Sequence, residues 1–331
     1  MSNDINTTLE SIMDSAPNNE VIKDALFRTY MYISEHEKPL CSISGGADSD
    51  VILDICYRCD VNKKVTYVWF DTGLEYKATK EHLNYLEQKY NIKIERNKAV
   101  KTIPYTCYTL GAPFINKYVS EMMYRLQMHN FQWEDEPFDE LYAKYPKCKI
   151  ALKWWCNENG DGDSFNIKRT PYLKEFIIEN PPTFKISNKC CDYAKKDLSH
   201  KTIKHGQFDM CIVGIRKAEG GLRSMVHKSC FAPTNKGYDN YYPILWFTNK
   251  DRAEYEQHYG ITHSKCYTEY GLKRTGCAGC PFAGNNLEFE LNTIQKFEPV
   301  LFRAVNKLFK NSYEYTQQFK KFKQMRSVVN E

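Results

Sequence analysis

The apolar positions of the chain fall into an order of short runs and helical stripes. Between residues 21 and 38, Ala25, Leu26, Tyr30 and Ile33 recur at helical spacing. Lys38-Pro-Leu-Cys-Ser-Ile43 is a short apolar run that reads as a strand, and Val51-Ile-Leu-Asp-Ile-Cys56 has the apolar spacing of a helix. Lys64-Val-Thr-Tyr-Val-Trp-Phe70 is β-branched and aromatic, the composition of a buried strand. Residues 75–90 read as the next helix, and Asn91-Ile-Lys-Ile-Glu95 alternates as a third strand does. This strand–helix–strand–helix order predicts a parallel sheet. Phe208-Asp-Met-Cys-Ile-Val-Gly-Ile215 predicts a further buried strand, residues 114–128 a helix, and residues from 286 onward a helical segment. The expected fold is therefore α/β, a doubly wound and mainly parallel sheet with a helical C-terminal part. The expected organisation is a nucleotide-binding domain over residues 1–285 with an insertion at 104–180, then a helical extension over 286–331. Pro181-Pro182 marks a boundary within it.

Three predicted strand ends carry polar turns. The first is Cys41-Ser-Ile-Ser-Gly-Gly-Ala-Asp-Ser-Asp50, where Gly45 and Gly46 allow positive φ and close approach to a ligand. Asp48 or Ser49 is expected to cap the following helix, whose first N–H groups favour an anion. An ordinary strand-to-helix turn is the plainer reading of two glycines. The kinase and GTPase P-loop is excluded, because Ala47 stands where that loop needs Lys. Ser44-Gly-Gly-Ala-Asp-Ser49 instead resembles the PP-loop of the ATP pyrophosphatase superfamily, which binds the phosphates of adenine nucleotides. The second turn is Asp71-Thr-Gly-Leu-Glu75. The third holds Arg216 and Glu219-Gly-Gly-Leu-Arg223, with two guanidinium groups suited to phosphate or sulfate. Pairing of Arg216 with Glu219 at the surface is the plainer alternative. Ligands of such sheets bind at the carboxyl ends of strands, so these turns are expected to line one pocket.

Composition narrows the classes. Apolar residues make up 42% of 331, enough for a substantial core. The formal net charge of +5 allows nucleic-acid binding without implying it. The basic stretch Lys307, Lys310, Lys320, Lys321, Lys323 and Arg326 reads first as a solvated helix face. No long apolar run is present, so no membrane span is expected, and the polar N-terminal stretch carries no secretion signal. The expected location is the cytoplasm.

Thirteen cysteines in a reducing compartment call for metal, cluster or thiol chemistry rather than disulfides. Cys41, Cys56, Cys59 and Cys211 sit in apolar runs and read as core residues. Two clusters differ: the adjacent pair Cys190-Cys191, and Cys277 and Cys280 in a C-x-x-C knuckle with Gly279. Four thiolates suit a [4Fe–4S] cluster or a structural zinc, while a lone C-x-x-C also suits a redox disulfide.

Taken together, the motifs resemble the phosphoadenosine/adenosine phosphosulfate reductase family. The resemblance runs through Ser44-Gly-Gly-Ala-Asp-Ser49, Asp71-Thr-Gly-Leu-Glu75, Cys190-Cys-Asp-Tyr-Ala-Lys195, Gly214-Ile-Arg216 with Arg223, Tyr242-Pro-Ile-Leu-Trp246 and Gly271-Leu-Lys-Arg-Thr-Gly-Cys-Ala-Gly-Cys-Pro281, in family order. It implies that Cys190, Cys191, Cys277 and Cys280 ligate a [4Fe–4S] cluster, with zinc as the alternative, and that Lys195 lies near the cluster and the charged end of the substrate. It implies an adenine nucleotide (ATP, adenylyl sulfate or its 3′-phosphate) held by Ser44, Gly45, Gly46, Asp48, Ser49, Asp71, Thr72, Gly73, Glu75, Arg216, Arg223 and Arg274, with Mg²⁺ as a further candidate. The implied reaction reduces a sulfonucleotide to sulfite with a thiol donor, such as a thioredoxin-like partner. Two departures stand out. The family's C-terminal Cys has no counterpart after Cys280, and Lys-Ala-Glu-Gly-Gly follows Arg216 where relatives carry Glu-Ser. Cys230 and Cys266 are therefore candidate nucleophiles. A grouping of Cys230, Cys266, Cys277 and Cys280 would instead resemble the iron–sulfur ATPases of DNA phosphorothioation. The other readings are an ATP pyrophosphatase that adenylates a target, including nucleic acid for sulfur insertion, and a non-catalytic nucleotide-binding or sensing module.

Overall fold

A computed structural model describes residues 2–160, 163–220 and 225–329. The chain divides into two compact units. The first comprises residues 1–99 and 196–276, the second residues 100–195 and 277–331.

The first unit is built on a six-stranded sheet. Its strands are β1 (Pro39–Ile43), β2 (Thr66–Asp71), β3 (Ile94–Lys98), β4 (Met210–Val213), β5 (Phe231–Ala232) and β6 (Asp239–Tyr241). Their order is β3-β2-β1-β4-β6-β5, parallel throughout except for the β5–β6 pair. Leu40 lies opposite Thr66 on β2, and Pro39 opposite Met210 on β4. The strands β1 and β4 are apolar on both faces because both faces are covered. Cys41, Ile43, Tyr67 and Trp69 point into the larger core with α2 (Glu20–Glu35) and α3 (Ala47–Cys59), which follow the first helix α1 (Ser2–Asp14). Leu40 and Val68, one residue out of phase, pack with Ile203, Phe208 and Cys211 on the other side. Asn19 caps α2 by accepting from the N–H groups of Val21 and Ile22. The doubly wound α/β arrangement is as the sequence predicts. Cys41, Cys56, Cys59 and Cys211 are all buried in it.

Element boundaries shift locally. The third strand begins at Ile94, three residues later than its alternation suggests, because Asn91 takes a left-handed conformation that ends the preceding helix (Lys77–Tyr90). Strands β5 and β6 have no counterpart in the sequence reading.

The second unit is helical. Its core is aromatic, with Phe114, Trp154, Trp155 and Phe176 almost fully buried. The helix Pro299–Val329 contributes Tyr315, Phe319 and Phe322 to that same core. Ser312 donates a hydrogen bond to the carbonyl of Pro113, and the Tyr315 hydroxyl to that of Asn180 at 2.7 Å. The boundaries thus fall elsewhere than expected. Residues 100–195 and the C-terminal segment form one unit, because each exposes apolar surface that the other covers.

Candidate functional site

In the first unit, strands β1, β2 and β3 are laid down in one direction across the sheet, and β4 and β6 in the other. The reversal lies between the neighbours β1 and β4. At such a switch point the connections leave on opposite faces and open a crevice at the strands' carboxyl ends. The glycine loop follows β1 and Arg216 follows β4, so both flank this crevice.

The loop is closed on itself by hydroxyl groups. The Ser49 Oγ accepts from the N–H groups of Ser44 (3.0 Å) and Gly45 (3.2 Å). The Ser44 Oγ accepts from Gly46 N (3.3 Å), and the Tyr267 hydroxyl from Ala47 N (3.2 Å). Gly45 adopts φ +70, and a Cβ there would come within 2.7 Å of the Thr79 methyl. A Cβ on Gly46 would meet Thr275 Oγ1 at 3.0 Å. Gly45 is therefore required by its positive φ, while Gly46 sits in a tight space where a side chain would push Thr275 aside. The expected cap is different. Gly46 is the N-cap of α3, because Ser49 is engaged by the loop and Asp48 turns away to cations.

Asp48 Oδ1 accepts from Arg216 Nε at 2.7 Å and from Arg252 Nη1 at 3.1 Å. Arg216 is 4% exposed and also reaches Asn249 Oδ1 at 3.0 Å. The ion pairs continue inward. Arg252 Nε lies 3.0 Å from Glu256 Oε1, and His263 Nε2 lies 3.1 Å from the same oxygen. His263 Nδ1 and His82 Nε2 each stand 2.9 Å from the buried carboxylate of Asp50. Burial works against the charged form of His263, but Asp50 and Glu256 outweigh it and raise the imidazole to a pKa of about 9.

The turn after β2 is also closed internally. Glu75 Oε1 accepts from Thr72 N at 3.1 Å and from the Thr72 hydroxyl, and Asp71 Oδ1 accepts from Gly73 N at 2.8 Å. Gly73 has φ +86. Arg274 is exposed, and Arg223 lies outside the described residues. Cys266 is fully buried with its sulfur 3.7 Å from Thr79 Oγ1. Cys230 is buried and lines a cavity of about 280 Å³ with Arg28, Tyr241 and Phe247, which none of the loop residues joins.

The four predicted ligand cysteines and Lys195 all belong to the second unit. Cys190 and Cys191 form a short helix, and Lys195 follows in a π-helical turn. Contact with the Cys107 sulfur raises the Cys190 pKa well above the ordinary thiol value, and burial adds to it. The neighbouring Cys190 and burial raise Cys191, against the pull of Lys117 and Lys195. Burial and the nearby Cys277 push Cys280 up to about 12, and Cys191 adds to the rise. Gly279 has φ +61, and a Cβ there would come within 2.9 Å of the Tyr313 hydroxyl, so the knuckle needs glycine. Tyr313 donates to the Gly279 carbonyl. Among the described residues, no group of three or more His, Cys, Asp or Glu side chains is gathered closely enough to hold a metal ion. A [4Fe–4S] cluster is larger than one ion and takes four thiolates around it. The donor set fits that need chemically: it offers four sulfur ligands, and Lys117 and Lys195 lie within electrostatic reach of Cys191, Lys195 also of Cys280.

Arg252, Tyr267, His263 and Cys107 were not singled out by sequence pattern. Arg252, Tyr267 and His263 are recruited by contacts across long sequence separations, which no local motif marks. Cys107 lies in an apolar helix (Ile103–Leu110) and looks there like any core cysteine.

A family model, the phosphoadenosine phosphosulfate reductase domain, matches residues 38–119 and 114–283. No curated protein matches the chain. Among solved structures, the chain is similar to phosphoadenylyl-sulfate (PAPS) reductase from Candida auris in a phosphate complex, at 13% identity and TM-score 0.42, covering 76% of this chain and 86% of that one. It is similar to FMN adenylyltransferase from Candida glabrata in complex with FMN and an ATP analogue, at 11% identity and TM-score 0.39, covering 83% and 72%. It is also similar to a U34-tRNA thiolase from Methanococcus maripaludis with its [4Fe–4S] cluster, at 10% identity and TM-score 0.36, covering 89% and 79%.

Proposed function

The chain belongs to the phosphoadenosine phosphosulfate reductase domain family, and on that premise we propose that it binds an adenine nucleotide beside the glycine loop and reduces a sulfonucleotide to sulfite. The observation that carries the reading is the loop after β1 facing Arg216 after β4 across the sheet's switch point. An oxyanion entering there would take the N–H groups of Ser44, Gly45 and Gly46 from the hydroxyls that now hold them. Arg216, with Arg223 and Arg274, would supply charge, and the turn from Asp71 to Glu75 would bound the nucleoside.

Cys190, Cys191, Cys277 and Cys280 would hold a [4Fe–4S] cluster. When bound, such a group supplies electron storage and local charge. Lys195 would balance the charge of the anionic thiolates in its own unit. A thiolate from a thioredoxin-like donor would attack the sulfonucleotide sulfur. The S–O bond breaks, the nucleotide leaves with the electron pair, and a second donor thiol releases sulfite as the donor becomes a disulfide.

The complete Ser44-Gly-Gly-Ala-Asp-Ser49 loop favours one alternative, cleavage of ATP to AMP and pyrophosphate with adenylation of a target. Anaerobic, iron-loaded protein with a dithiol donor should release sulfite from adenylyl sulfate or its 3′-phosphate. Absence of sulfite with either substrate and any thiol donor sinks the reductase reading. Pyrophosphate release from ATP that rises on adding RNA or DNA would establish the alternative.

A further inference from the structure

We propose that Arg252 is a second guanidinium of the nucleotide's anion seat, and that Asp48 occupies the place of the oxyanion until the nucleotide arrives. This rests on the nucleotide-binding reading above. Asp48 stands in the first turn of α3, directly after the glycine loop. One of its oxygens, Oδ1, takes both Arg216 Nε at 2.7 Å and Arg252 Nη1 at 3.1 Å. A carboxylate oxygen between two guanidinium groups has the charge and donor geometry that a phosphate or sulfate oxygen would have. Two guanidinium groups thus converge on one oxygen at the end of the loop, and Arg252 divides its charge between Asp48 and Glu256.

The second contact of Arg252 is one that a new anion could replace. Its Nε, though 3.0 Å from Glu256, is buried with no aligned hydrogen-bond partner among the described residues, as is Glu256 Oε1. Glu256 therefore holds Arg252 by charge rather than by a directional bond. His263 shares Glu256 and ties it to Asp50, so the carboxylates left behind when Arg252 moves keep a cation. The helix Asn249–Tyr259 that carries Arg252 is fixed by its own capping box between Thr248 and Asp251, which leaves the arginine side chain as the moving part.

The test is AMP binding by calorimetry, without metal, to the full chain and to Arg252→Gln, Arg252→Lys and Asp48→Asn. Loss of one charge-assisted contact should weaken AMP by about tenfold or more in Arg252→Gln. Arg252→Lys should recover part of that loss. Asp48→Asn removes the competing carboxylate and should bind AMP more tightly than the unaltered chain. AMP affinity unchanged in a folded Arg252→Gln protein overturns the inference while leaving the nucleotide reading intact. Weaker AMP binding by Asp48→Asn overturns it as well, since Asp48 would then support the anion rather than stand in for it, and that measurement decides the matter if Arg252→Gln does not fold. No AMP binding by the unaltered chain removes both the nucleotide reading and this inference.

Discussion

Asp48, Asp50 and Glu256 are three carboxylates held close together in the first unit, and they persist there because each faces a cation. Of the groups that face them, His263 carries a raised pKa that ordinary buffers reach. Its folded pKa is raised from 6.5 to about 9, so its pairing stabilises the protein fully below pH 6.5 and that contribution is lost as pH rises through about 9. Thermal melts between those limits should show the unaltered chain losing stability relative to its value at pH 6.5, with His263→Gln lower at pH 6.5 and flatter across the window. Parallel curves for the two proteins would mean that the imidazolium is not what responds. Of this network only Asp48 and Arg216 are legible in the sequence, and their pairing is not. Gly45, Gly46, Ser44 and Ser49 stand in a motif that local order exposes, but Arg252 and His263 gain their meaning only from partners far along the chain. The same holds for the cap of α3. Asp48 and Ser49 have the right chemistry for it, yet the loop claims one and the arginines claim the other.

At the scale of elements, long apolar runs announced themselves and short polar strands did not. β1 and β4 are buried on both faces and read as continuous apolar stretches. β6 is Asp-Asn-Tyr, and it exists because its backbone pairs with β4, not because of its composition. The C-terminal helix shows the opposite case. Its basic residues dominate a reading of charge, while Tyr315, Phe319 and Phe322 lie on one face by their spacing of four and three residues. Those three rings enter the aromatic core of the second unit, with Phe319 5.2 Å from Phe176 between ring centroids. Phe319→Ala should therefore cost about 3 kcal/mol or more, by the usual loss for a truncated core ring. Lys320→Ala, on the exposed side, should stay within about 0.5 kcal/mol. Chemical denaturation followed by tryptophan fluorescence checks both, since Trp133, Trp154 and Trp155 share that core. Equal midpoints for the two variants would mean that the helix does not complete the core.

At the scale of the whole molecule, the chain passes between its two units more than once, and the candidate chemistry is divided between them in sequence order. The glycine loop, Arg216 and Arg274 fall in the first unit, while Cys190, Cys191, Cys277, Cys280 and Lys195 fall in the second. The sequence motif running from Gly271 to Pro281 spans this division, between Gly276 and Cys277, so a family motif read as one stretch serves two folding units. That division makes the two proposed ligands separable in experiment. A ligand that binds the native state lowers local opening where it makes its contacts, by mass action. AMP should raise amide protection over residues 44–49 and around Arg216, where the loop N–H groups would gain an anion. Iron and sulfide should raise it over residues 189–195 and 277–280, since the cluster would tie the two cysteine pairs of the second unit to one group. Hydrogen exchange on the full chain, with each ligand alone, reads both effects. The thiols supply the internal check. Burial and neighbouring thiols keep the protons on Cys190, Cys191 and Cys280, so ligation must displace protons, with the charge of the bound cation offsetting the cost of the buried thiolates. Cys280→Ser should then abolish the iron-dependent protection at residues 189–195 and leave the AMP-dependent protection at residues 44–49 in place. Iron-dependent protection that survives this substitution would remove Cys280 from the ligand set.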